Sequence, residues 1–106
     1  MILADVPCSG SGTWRRSPEQ LNAFTTKSLA KYTSIQSQIL DRVLAMKSAK
    51  TVIYSTCSIF KEENEELVRN ALISNRDYVL EKESYLGTDP HVQGDYLYYA
   101  VLKRPL

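Results

Sequence analysis

Two short stretches of this chain carry residue types that perform covalent chemistry. The first, DVPCSGSGTWRR over residues 5–16, places a carboxylate, a thiol, two glycines and two arginines directly after a few apolar residues. The second, VIYSTCSIFKEENEE, holds the other cysteine at the end of an apolar run. A cysteine becomes a good nucleophile when a helix N-terminus or a nearby cation lowers the pKa of its thiol. Asp5, Cys8 and Cys57 are therefore candidate catalytic residues.

Cys8 and Cys57 also allow less reactive roles. An even number of cysteines permits a disulfide, but nothing else in the composition suggests a secreted scaffold, and cytosolic thiols are normally reduced. Structural zinc normally takes four ligands, and two cysteines with one histidine supply too few, so we expect no metal site. For either cysteine taken alone, a role as a small buried hydrophobe stays open.

Composition and charge narrow the class of protein. The 106 residues are 43% hydrophobic and 24% charged, which is typical of one small globular domain. A net charge of +1 gives no global basic field, although a local nucleic-acid site stays open. No apolar run approaches the ~20 residues of a membrane span, and the N-terminus lacks the basic region of a signal peptide. We expect a cytoplasmic protein without membrane contacts.

The residues around the two stretches predict alternating strands and helices. Apolar, β-branched runs predict strands, and apolar residues that recur at spacings of three and four predict helices. In chain order we predict strand 1–4, helix 29–49, strand 51–55, helix 62–74, strand 78–81 and strand 96–103. The strand over 51–55 has the nearly continuous apolar character of a parallel strand that is covered on both faces. This order predicts a parallel α/β sheet with an antiparallel strand added at the end.

The second predicted helix begins with carboxylates. Glu62, Glu63 and Glu65 fall in its first turn, where negative charge suits the positive end of the helix dipole. We expect these three side chains to support the helix and solubility rather than to form part of a site. The inward face of this helix is predicted to consist of Leu67, Val68, Ala71 and Leu72.

The predicted topology brings the two cysteine-bearing stretches together. About 45 residues with a long helix separate the first two strands, which is enough for a right-handed parallel crossover. If these strands are neighbours, their carboxyl ends lie at one edge of the sheet, about 5 Å apart. Asp5 and Cys8 follow the first strand and Cys57 follows the second. The three residues are thus predicted to meet where open α/β sheets bind ligands.

Other catalytic patterns fit less well. The stretch GSGT lacks the Gly-Lys-Ser/Thr ending of a phosphate-binding P-loop, and it does not form the Gly-x-Ser-x-Gly elbow of an α/β-hydrolase. The low-molecular-weight tyrosine phosphatases are a closer rival, since Cys8, Arg15, Ser17-Pro18 and Asp89-Pro90 look similar to their pattern. That pattern has one residue fewer between the cysteine and the arginine, and it leaves Cys57 without a role.

The two stretches resemble the signatures of the Nop2/Sun-type (RsmB-like) RNA cytosine-5 methyltransferases. DVPCSGSGTWRRSPE is similar to the family's Asp-Ala-Pro-Cys-Ser-Gly-x-Gly segment, and VIYSTCSIFKEENEE to its Tyr-Ser-Thr-Cys-Ser followed by Glu-Asn-Glu. Gln36, Ile39 and Leu40 fall where the family has a Gln-x-x-Ile-Leu helix, and residues 94–104 are like its closing strand. The chain departs from the pattern at Val6, at Lys61 and in the turn MKSAKT, which leaves the subfamily and the substrate open.

The resemblance implies a class I, Rossmann-like methyltransferase fold that uses S-adenosylmethionine, with parallel strands and a terminal antiparallel strand. In this family the cysteine that matches Cys57 attacks carbon 6 of the target cytosine, which makes carbon 5 nucleophilic enough to take the methyl group. The acid that matches Asp5 binds the pyrimidine edge and supports protonation of N3. The thiol that matches Cys8 assists removal of the proton and release of the covalent product.

Further site residues follow from the same resemblance. Asp5 and Pro7 are expected to contact the cofactor, and Pro7 also fixes the turn that presents Cys8, although an ordinary turn proline stays open. The expected RNA partner is tRNA or rRNA, carrying the cytosine that becomes 5-methylcytosine. The expected substrate-binding residues are Pro7, Ser9, Gly10, Arg15, Arg16 and Ser58. For Arg15 and Arg16 the open alternative is solvated surface charge, and for Gly10 it is a simple flexible loop.

The resemblance also bears on how much of a domain this chain represents. In the family, the glycine-rich cofactor loop and the acid that holds the cofactor's ribose precede the segment present here. We therefore expect residues 1–106 to be a partial S-adenosylmethionine-dependent methyltransferase domain, its C-terminal half, that is inactive alone and self-associates through an exposed sheet edge. A thiol phosphatase-like hydrolase and a non-catalytic RNA-binding or assembly segment stay open as alternatives.

Overall fold

The structure is a computed structural model that describes residues 1–9, 26–86 and 97–105. Strands and helices alternate in it as the sequence predicts, with the two final strands in succession. In chain order the elements are β1 (Ile2–Asp5), α1 (Thr26–Met46), β2 (Thr51–Thr56), a single 3-10 turn (Lys61–Glu63), α2 (Glu65–Ser74), β3 (Val79–Leu86) and β4 (Leu97–Lys103).

The four strands form one mixed sheet in the order β1-β2-β4-β3. β1 and β2 are parallel neighbours, with Asp5 beside Ser55, which confirms the predicted parallel pairing. The backbone N–H of Val6 donates to the Ser55 carbonyl oxygen at 3.2 Å and continues this pairing beyond β1. β4 runs antiparallel to both β2 and β3, so the antiparallel strand that ends the chain lies inside the sheet rather than at its edge.

Both helices pack on one face of the sheet. Residues that pair across neighbouring strands share a face, and alternate residues along a strand point to opposite faces. One face of β2 and β4 is therefore buried under the apolar sides of α1 and α2. This core contains Ala4, Leu40, Leu44, Val52, Tyr54, Leu67, Val68, Ala71, Tyr98, Ala100 and Leu102.

The opposite face of the sheet, here named the open face, carries Leu3, Ile53, Tyr99 and Val101. Leu3 is 64% exposed, and the other three are half-buried. For the described residues, the expectation that the strand over 51–55 is covered on both faces is therefore met only in part, since on this face Ser55 is 7% exposed and Ile53 is half-buried. The cause is that α1 and α2 cover the same face, so the open face presents apolar side chains to solvent.

α1 ends three residues before the predicted limit. Lys47 has a φ of 52°, in the left-handed region, and its N–H donates to the Leu44 carbonyl oxygen at 3.3 Å. A residue in this conformation directly after the last turn terminates a helix and satisfies one of its final carbonyl groups. Ala49 is nevertheless buried against the core, so its apolar character reports packing rather than helix.

The second helical segment is broken where one helix over 62–74 was predicted. Asn64, between the 3-10 turn and α2, has φ −115° and ψ −104°, which no helix allows. The side chain of Asn64 forms hydrogen bonds with Thr56 and Ser58, and the Tyr54 hydroxyl donates to the Glu63 carbonyl oxygen. These bonds to the end of β2 compete with the helical hydrogen bonds and set the break.

β3 is longer than the predicted strand. It pairs with β4 from Val79 to Leu86, with an irregularity at Glu81 between the paired residues Leu80 and Lys82. β3 lies at the edge of the sheet, and its side chains are largely solvated. It therefore carries consecutive charged residues at 81–83, and the apolar pattern of the sequence did not predict its full length. Among the described helices, none has the length and apolar character that crossing a bilayer requires.

Candidate active site at the carboxyl ends of β1 and β2

The loops that follow β1 and β2 meet at the edge where these parallel strands end. The backbone N–H of Cys57 donates a hydrogen bond to the sulfur of Cys8 at 3.3 Å. One row back, the Ser55 hydroxyl donates to Asp5 Oδ1 at 3.2 Å. The structure thus brings the carboxylate and both cysteines of the predicted site to one place, although 49 residues separate the two cysteines along the chain.

This edge of the sheet is accessible to solvent. Asp5 and Pro7 are exposed, and both cysteines are partly exposed and free of a disulfide. An exposed carboxylate beside two accessible sulfurs can bind a polar ligand edge and exchange protons with it. A thiol in this setting can form a covalent bond to a substrate that enters from solvent.

The turn after β2 is held by a dense set of hydrogen bonds. The Thr56 hydroxyl donates to Asn64 Oδ1 at 2.5 Å and accepts from the Ser58 N–H at 3.1 Å. Asn64 Nδ2 donates to the Ser58 carbonyl oxygen at 2.8 Å, and the Phe60 N–H donates to the Ser58 hydroxyl at 3.0 Å. Cys57 lies in the middle of this turn, so its backbone has little freedom.

A buried carboxylate, that of Glu63, lies beneath both cysteine loops. Its Oε1 accepts from the Ser9 N–H at 2.7 Å, and its Oε2 accepts from the Ser9 hydroxyl at 2.7 Å. Oε2 also accepts from the Ser58 hydroxyl. Glu63 is fully buried, with 0% exposure, and these donors replace the water that a carboxylate loses on burial.

Gln36 connects α1 to Glu63 and to the loop that follows β1. Its Nε2 donates to the Pro7 carbonyl oxygen at 2.8 Å and to Glu63 Oε1 at 3.1 Å. Gln36 is fully buried. Because one amide nitrogen bonds both to the loop after β1 and to the carboxylate, α1 fixes the height of that loop above the sheet.

The expectation that Glu63 supports the helix and solubility from an exposed position is wrong. Glu62 is exposed as expected, whereas Glu63 is buried and Glu65 is half-buried and accepts from the Tyr85 hydroxyl. A signal was present in the sequence, because a continuous helix over 62–74 would place Glu63 on the same face as the inward Leu67, four residues later. Of the residues that donate to its carboxylate, Ser58 is five residues away, but Ser9 and Gln36 are 54 and 27 residues away, and no local pattern points to them.

Two tyrosines support the site from within the core. The Tyr54 hydroxyl donates to the Glu63 carbonyl oxygen at 2.6 Å. Burial raises the pKa of Tyr54 far above its ordinary value, and the negative charges of Glu63 and Cys8 add to this effect. Tyr54 is therefore neutral and a permanent donor to Glu63. Tyr85 acts on the other side of the site: Asn64 Nδ2 donates to its hydroxyl at 3.1 Å and so links the turn after β2 to β3.

Some predicted site residues lie outside the described part of the chain. These are Gly10, Arg15 and Arg16, and the same holds for the Asp89-Pro90 pair of the phosphatase alternative. Of the other predicted substrate-binding residues, Ser9 and Ser58 both direct their hydroxyls to Glu63. Pro7 is exposed beside Cys8. Contact of these residues with RNA stays a prediction.

Comparison with known proteins identifies relatives of this chain. The family model described as 16S rRNA methyltransferase RsmB/F matches residues 1–102. The 26S rRNA (cytosine-C(5))-methyltransferase nsun-5 of Caenorhabditis elegans is 34% identical over 103 residues, which cover 89% of this chain and 24% of that protein. Ribosomal RNA small subunit methyltransferase B of Erwinia tasmaniensis is 36% identical over 109 residues, covering 95% and 25%.

Solved structures share the fold. The crystal structure of PH0851 superposes with a TM-score of 0.78 at 28% identity, and covers 95% of this chain and 26% of that one. The structure of NSun6 from Pyrococcus horikoshii with SFG superposes with a TM-score of 0.75 at 22% identity, and covers 97% and 29%. The chain thus spans about a quarter of the length of the curated relatives it matches. It belongs to the RsmB/F family of 16S rRNA methyltransferases, in agreement with the resemblance of its two cysteine motifs.

Proposed function

We propose that this chain supplies the thiol-bearing part of an S-adenosylmethionine-dependent RNA methyltransferase that forms 5-methylcytosine. The observation that carries the proposal is the contact between the Cys57 N–H and the Cys8 sulfur, beside the carboxylate of Asp5. Family membership supports methyl transfer, and the curated relatives are named as rRNA methyltransferases, which favours rRNA over tRNA as the substrate.

Cys57 is the nucleophile in this proposal. Carbon 5 of cytosine does not attack an electrophilic methyl group unaided, and a temporary bond from the Cys57 sulfur to carbon 6 makes it an enamine carbon that can. Asp5 delivers a proton to N3 as the bond to carbon 6 forms. Bound S-adenosylmethionine offers a methyl group on a positively charged sulfur, and the methyl group ends on carbon 5.

Cys8 completes the reaction. After methyl transfer, carbon 5 holds both the new methyl group and its original hydrogen, and Asp5 takes the N3 proton back. The Cys8 sulfur, as thiolate, removes the hydrogen of carbon 5 as a proton. The double bond between carbons 5 and 6 re-forms, and the Cys57 sulfur leaves as a thiolate. One methyl group enters and one proton leaves in each turnover, so atoms and charges balance.

Asp5 and Pro7 have the chemistry that the cofactor needs. S-adenosylmethionine carries an ammonium group, a sulfonium and a purine, and an exposed carboxylate beside an exposed proline ring offers a hydrogen-bond acceptor and an apolar surface. Asp5 has one oxygen on Ser55 and is reachable from solvent. These two residues would hold the cofactor near the cysteines, in agreement with its expected place at the carboxyl ends of the strands.

Three further expectations remain part of the proposal. The 106 residues alone are inactive in methyl transfer, since they span about a quarter of the length of their relatives. The chain alone self-associates through β1, which is an edge strand and carries the exposed Leu3 on the open face. The location of the protein is the cytoplasm.

The decisive experiment separates the two cysteines in the full-length gene product. Wild type, Cys8→Ala, Cys57→Ala and the double variant are incubated with S-adenosylmethionine and cellular RNA, and covalent protein–RNA species are resolved on denaturing gels. Cys8→Ala should accumulate an adduct because release fails, whereas Cys57→Ala and the double variant should form none. An adduct in the double variant, or equal adduct levels in both single variants, contradicts the assigned roles.

The two alternatives have their own signatures in these proteins and in a further variant, Cys57→Ser. A thiol phosphatase hydrolyses p-nitrophenyl phosphate, loses this activity in Cys8→Ala and keeps it in Cys57→Ser. A non-catalytic RNA-binding or assembly segment leaves RNA unmethylated in the full-length gene product, although that product binds S-adenosylmethionine by calorimetry. Either result removes the methyltransferase proposal.

A further inference from the structure

We propose that Glu63 is a positioning residue that sets the separation of the two thiols, holding the loop of Cys8 and the loop of Cys57 with one carboxylate. This inference rests on the proposed function for its catalytic consequence, although the geometry itself does not depend on it. The family signature marks the acidic stretch after Cys57 only as a sequence pattern. The structure shows which of its carboxylates turns inward and what that carboxylate holds.

On the side of Cys8, the contact of Glu63 is bidentate. The two carboxylate oxygens bind the backbone N–H and the hydroxyl of Ser9, the residue directly after Cys8, each at 2.7 Å. Two bonds to one residue fix both its position and its rotation. Since Ser9 adjoins Cys8 in the chain, the direction of the Cys8 side chain is constrained with it.

On the side of Cys57, Glu63 binds the hydroxyl of Ser58, again the residue directly after the cysteine. Ser58 is itself held by Thr56 and Asn64, so the turn that contains Cys57 moves as a unit with this hydroxyl. One carboxylate therefore bonds to the residue after each thiol. Its length and position limit how far apart the two loops can lie.

The base of Glu63 is as well anchored as its carboxylate. Tyr54 of β2 donates to its backbone carbonyl at 2.6 Å, and Gln36 of α1 donates to Oε1 at 3.1 Å. A carboxylate that is fully buried and fixed at both ends acts as a rigid spacer between the loops. An exposed glutamate would exchange its bonds with water and could not do this.

The length of the side chain, more than its charge, is the property that matters. Glu63→Asp keeps the charge but withdraws the carboxylate by one carbon–carbon bond, about 1.5 Å, so that it cannot reach both serines. Glu63→Gln keeps the length, and both serine hydroxyls can rotate to accept from the new amide. Glu62→Asp is the matched control, because Glu62 is the preceding residue and is exposed.

The first measurement is amide hydrogen exchange in the full-length gene product, which needs neither RNA nor methyl transfer. The Cys57 N–H donates to the Cys8 sulfur on the opposite loop, so exchange at this amide reports the separation of the two loops. We expect Glu63→Asp to accelerate it about 10-fold or more, as for loss of a charged hydrogen bond, and Glu63→Gln to leave it within about threefold. Exchange at Ile53 in the centre of β2, and both amides in Glu62→Asp, should not change.

The second measurement uses variants that each weaken the contact of Glu63 with one of the two loops. It compares the amount of covalent RNA adduct with the amount of methylated product. Ser9→Ala loosens only the Cys8 side, so release should slow and the fraction of RNA held as adduct should rise about 10-fold relative to product. Ser58→Ala loosens only the Cys57 side, so adduct formation should slow without accumulation. A purely structural role lowers adduct and product together and leaves their ratio unchanged.

The two measurements fail in distinguishable ways. Unchanged exchange at Cys57 in Glu63→Asp overturns the positioning role, whatever the activity does. Faster exchange at Ile53 and Cys57 alike means that Glu63 supports global folding, and this also overturns it. If exchange changes at Cys57 alone but no adduct forms in any variant, the positioning role stands and the proposed covalent reaction fails.

Discussion

The backbone N–H of Cys57 donates to the sulfur of Cys8 at 3.3 Å, which joins the loops that follow the two parallel strands. A contact between backbone and side chain constrains both partners, because the amide cannot turn away without disturbing the turn between Thr56 and Ser58. Four further hydrogen bonds reach Glu63 from the same two loops and from Gln36. The two sulfurs are therefore parts of one bonded unit.

Gln36 tests the balance of donors and acceptors in this unit. Gln36→Glu has nearly the same shape, but it removes the donor to Pro7 and Glu63 and places a second carboxylate beside the first. We expect a loss of about 3 kcal/mol in the free energy of unfolding at neutral pH, measured by urea denaturation.

The pH dependence of the same variant provides its check. At acidic pH one carboxyl of the pair binds a proton and again donates to the other, so the loss in stability should shrink. Gln38→Glu on the exposed side of α1 is the control and should change stability by less than about 0.5 kcal/mol. A penalty for Gln36→Glu that is independent of pH would mean that shape, not charge, causes it.

Tyr54 tests the anchor beneath Glu63. Tyr54→Phe leaves the Glu63 carbonyl oxygen buried without its donor at 2.6 Å. We expect the free energy of unfolding to fall by about 1–2 kcal/mol, because an unsatisfied buried acceptor is costly. Tyr99→Phe, at a half-buried position on the open face, should change it by less than about 0.5 kcal/mol. Equal effects of the two substitutions would show that the hydrogen bond contributes nothing.

The tyrosines whose pKa is raised predict a loss of stability in alkaline solution. Burial, followed by the hydrogen bond to Glu65, raises the pKa of Tyr85 to about 12, and burial also raises the pKa of Tyr54 and Tyr98. An unfolded tyrosine releases its proton near pH 10, whereas the folded Tyr85 retains it until about pH 12. The contribution of Tyr85 to the free energy of unfolding is therefore fully present below about pH 10 and is lost as the pH rises from about 10 to about 12.

Titration of tyrosinate absorbance alongside urea denaturation measures this effect. Tyr85→Phe should give a shallower fall of unfolding free energy above about pH 10, since one of the shifted groups is gone. A fall in stability that begins near neutral pH would require another titrating group.

The open face and the edge strand β1 predict the behaviour of the isolated 106 residues in solution. We expect them to self-associate, and Leu3→Lys to lower the weight-average mass in sedimentation equilibrium, because a charge on an edge strand opposes pairing with another chain. Ile73→Lys is a matched control on α2, since Ile73 is 61% exposed and Leu3 is 64% exposed. If Ile73→Lys dissociates the assembly and Leu3→Lys does not, association occurs through the helical face instead.

The local sequence pattern was enough to predict the strands that precede the two cysteines. The apolar run over 51–55 and the start of the chain predict strands because their β-branched and apolar residues favour an extended, covered backbone. β3 shows where this reasoning stops. Its charged residues Lys82 and Glu83 pair with β4 because of the position of β3 in the sheet, which local propensity does not record.

By itself the sequence determined the order of strands and helices, the two cysteine loops at one sheet edge and the family. These follow from short-range preferences and from the small number of ways in which parallel strands connect. Only the tertiary structure decided that Glu63 turns inward while the adjacent Glu62 faces solvent. The physical reason is that a carboxylate is buried only where donors meet it, and here Ser9 and Gln36 lie 54 and 27 residues away along the chain.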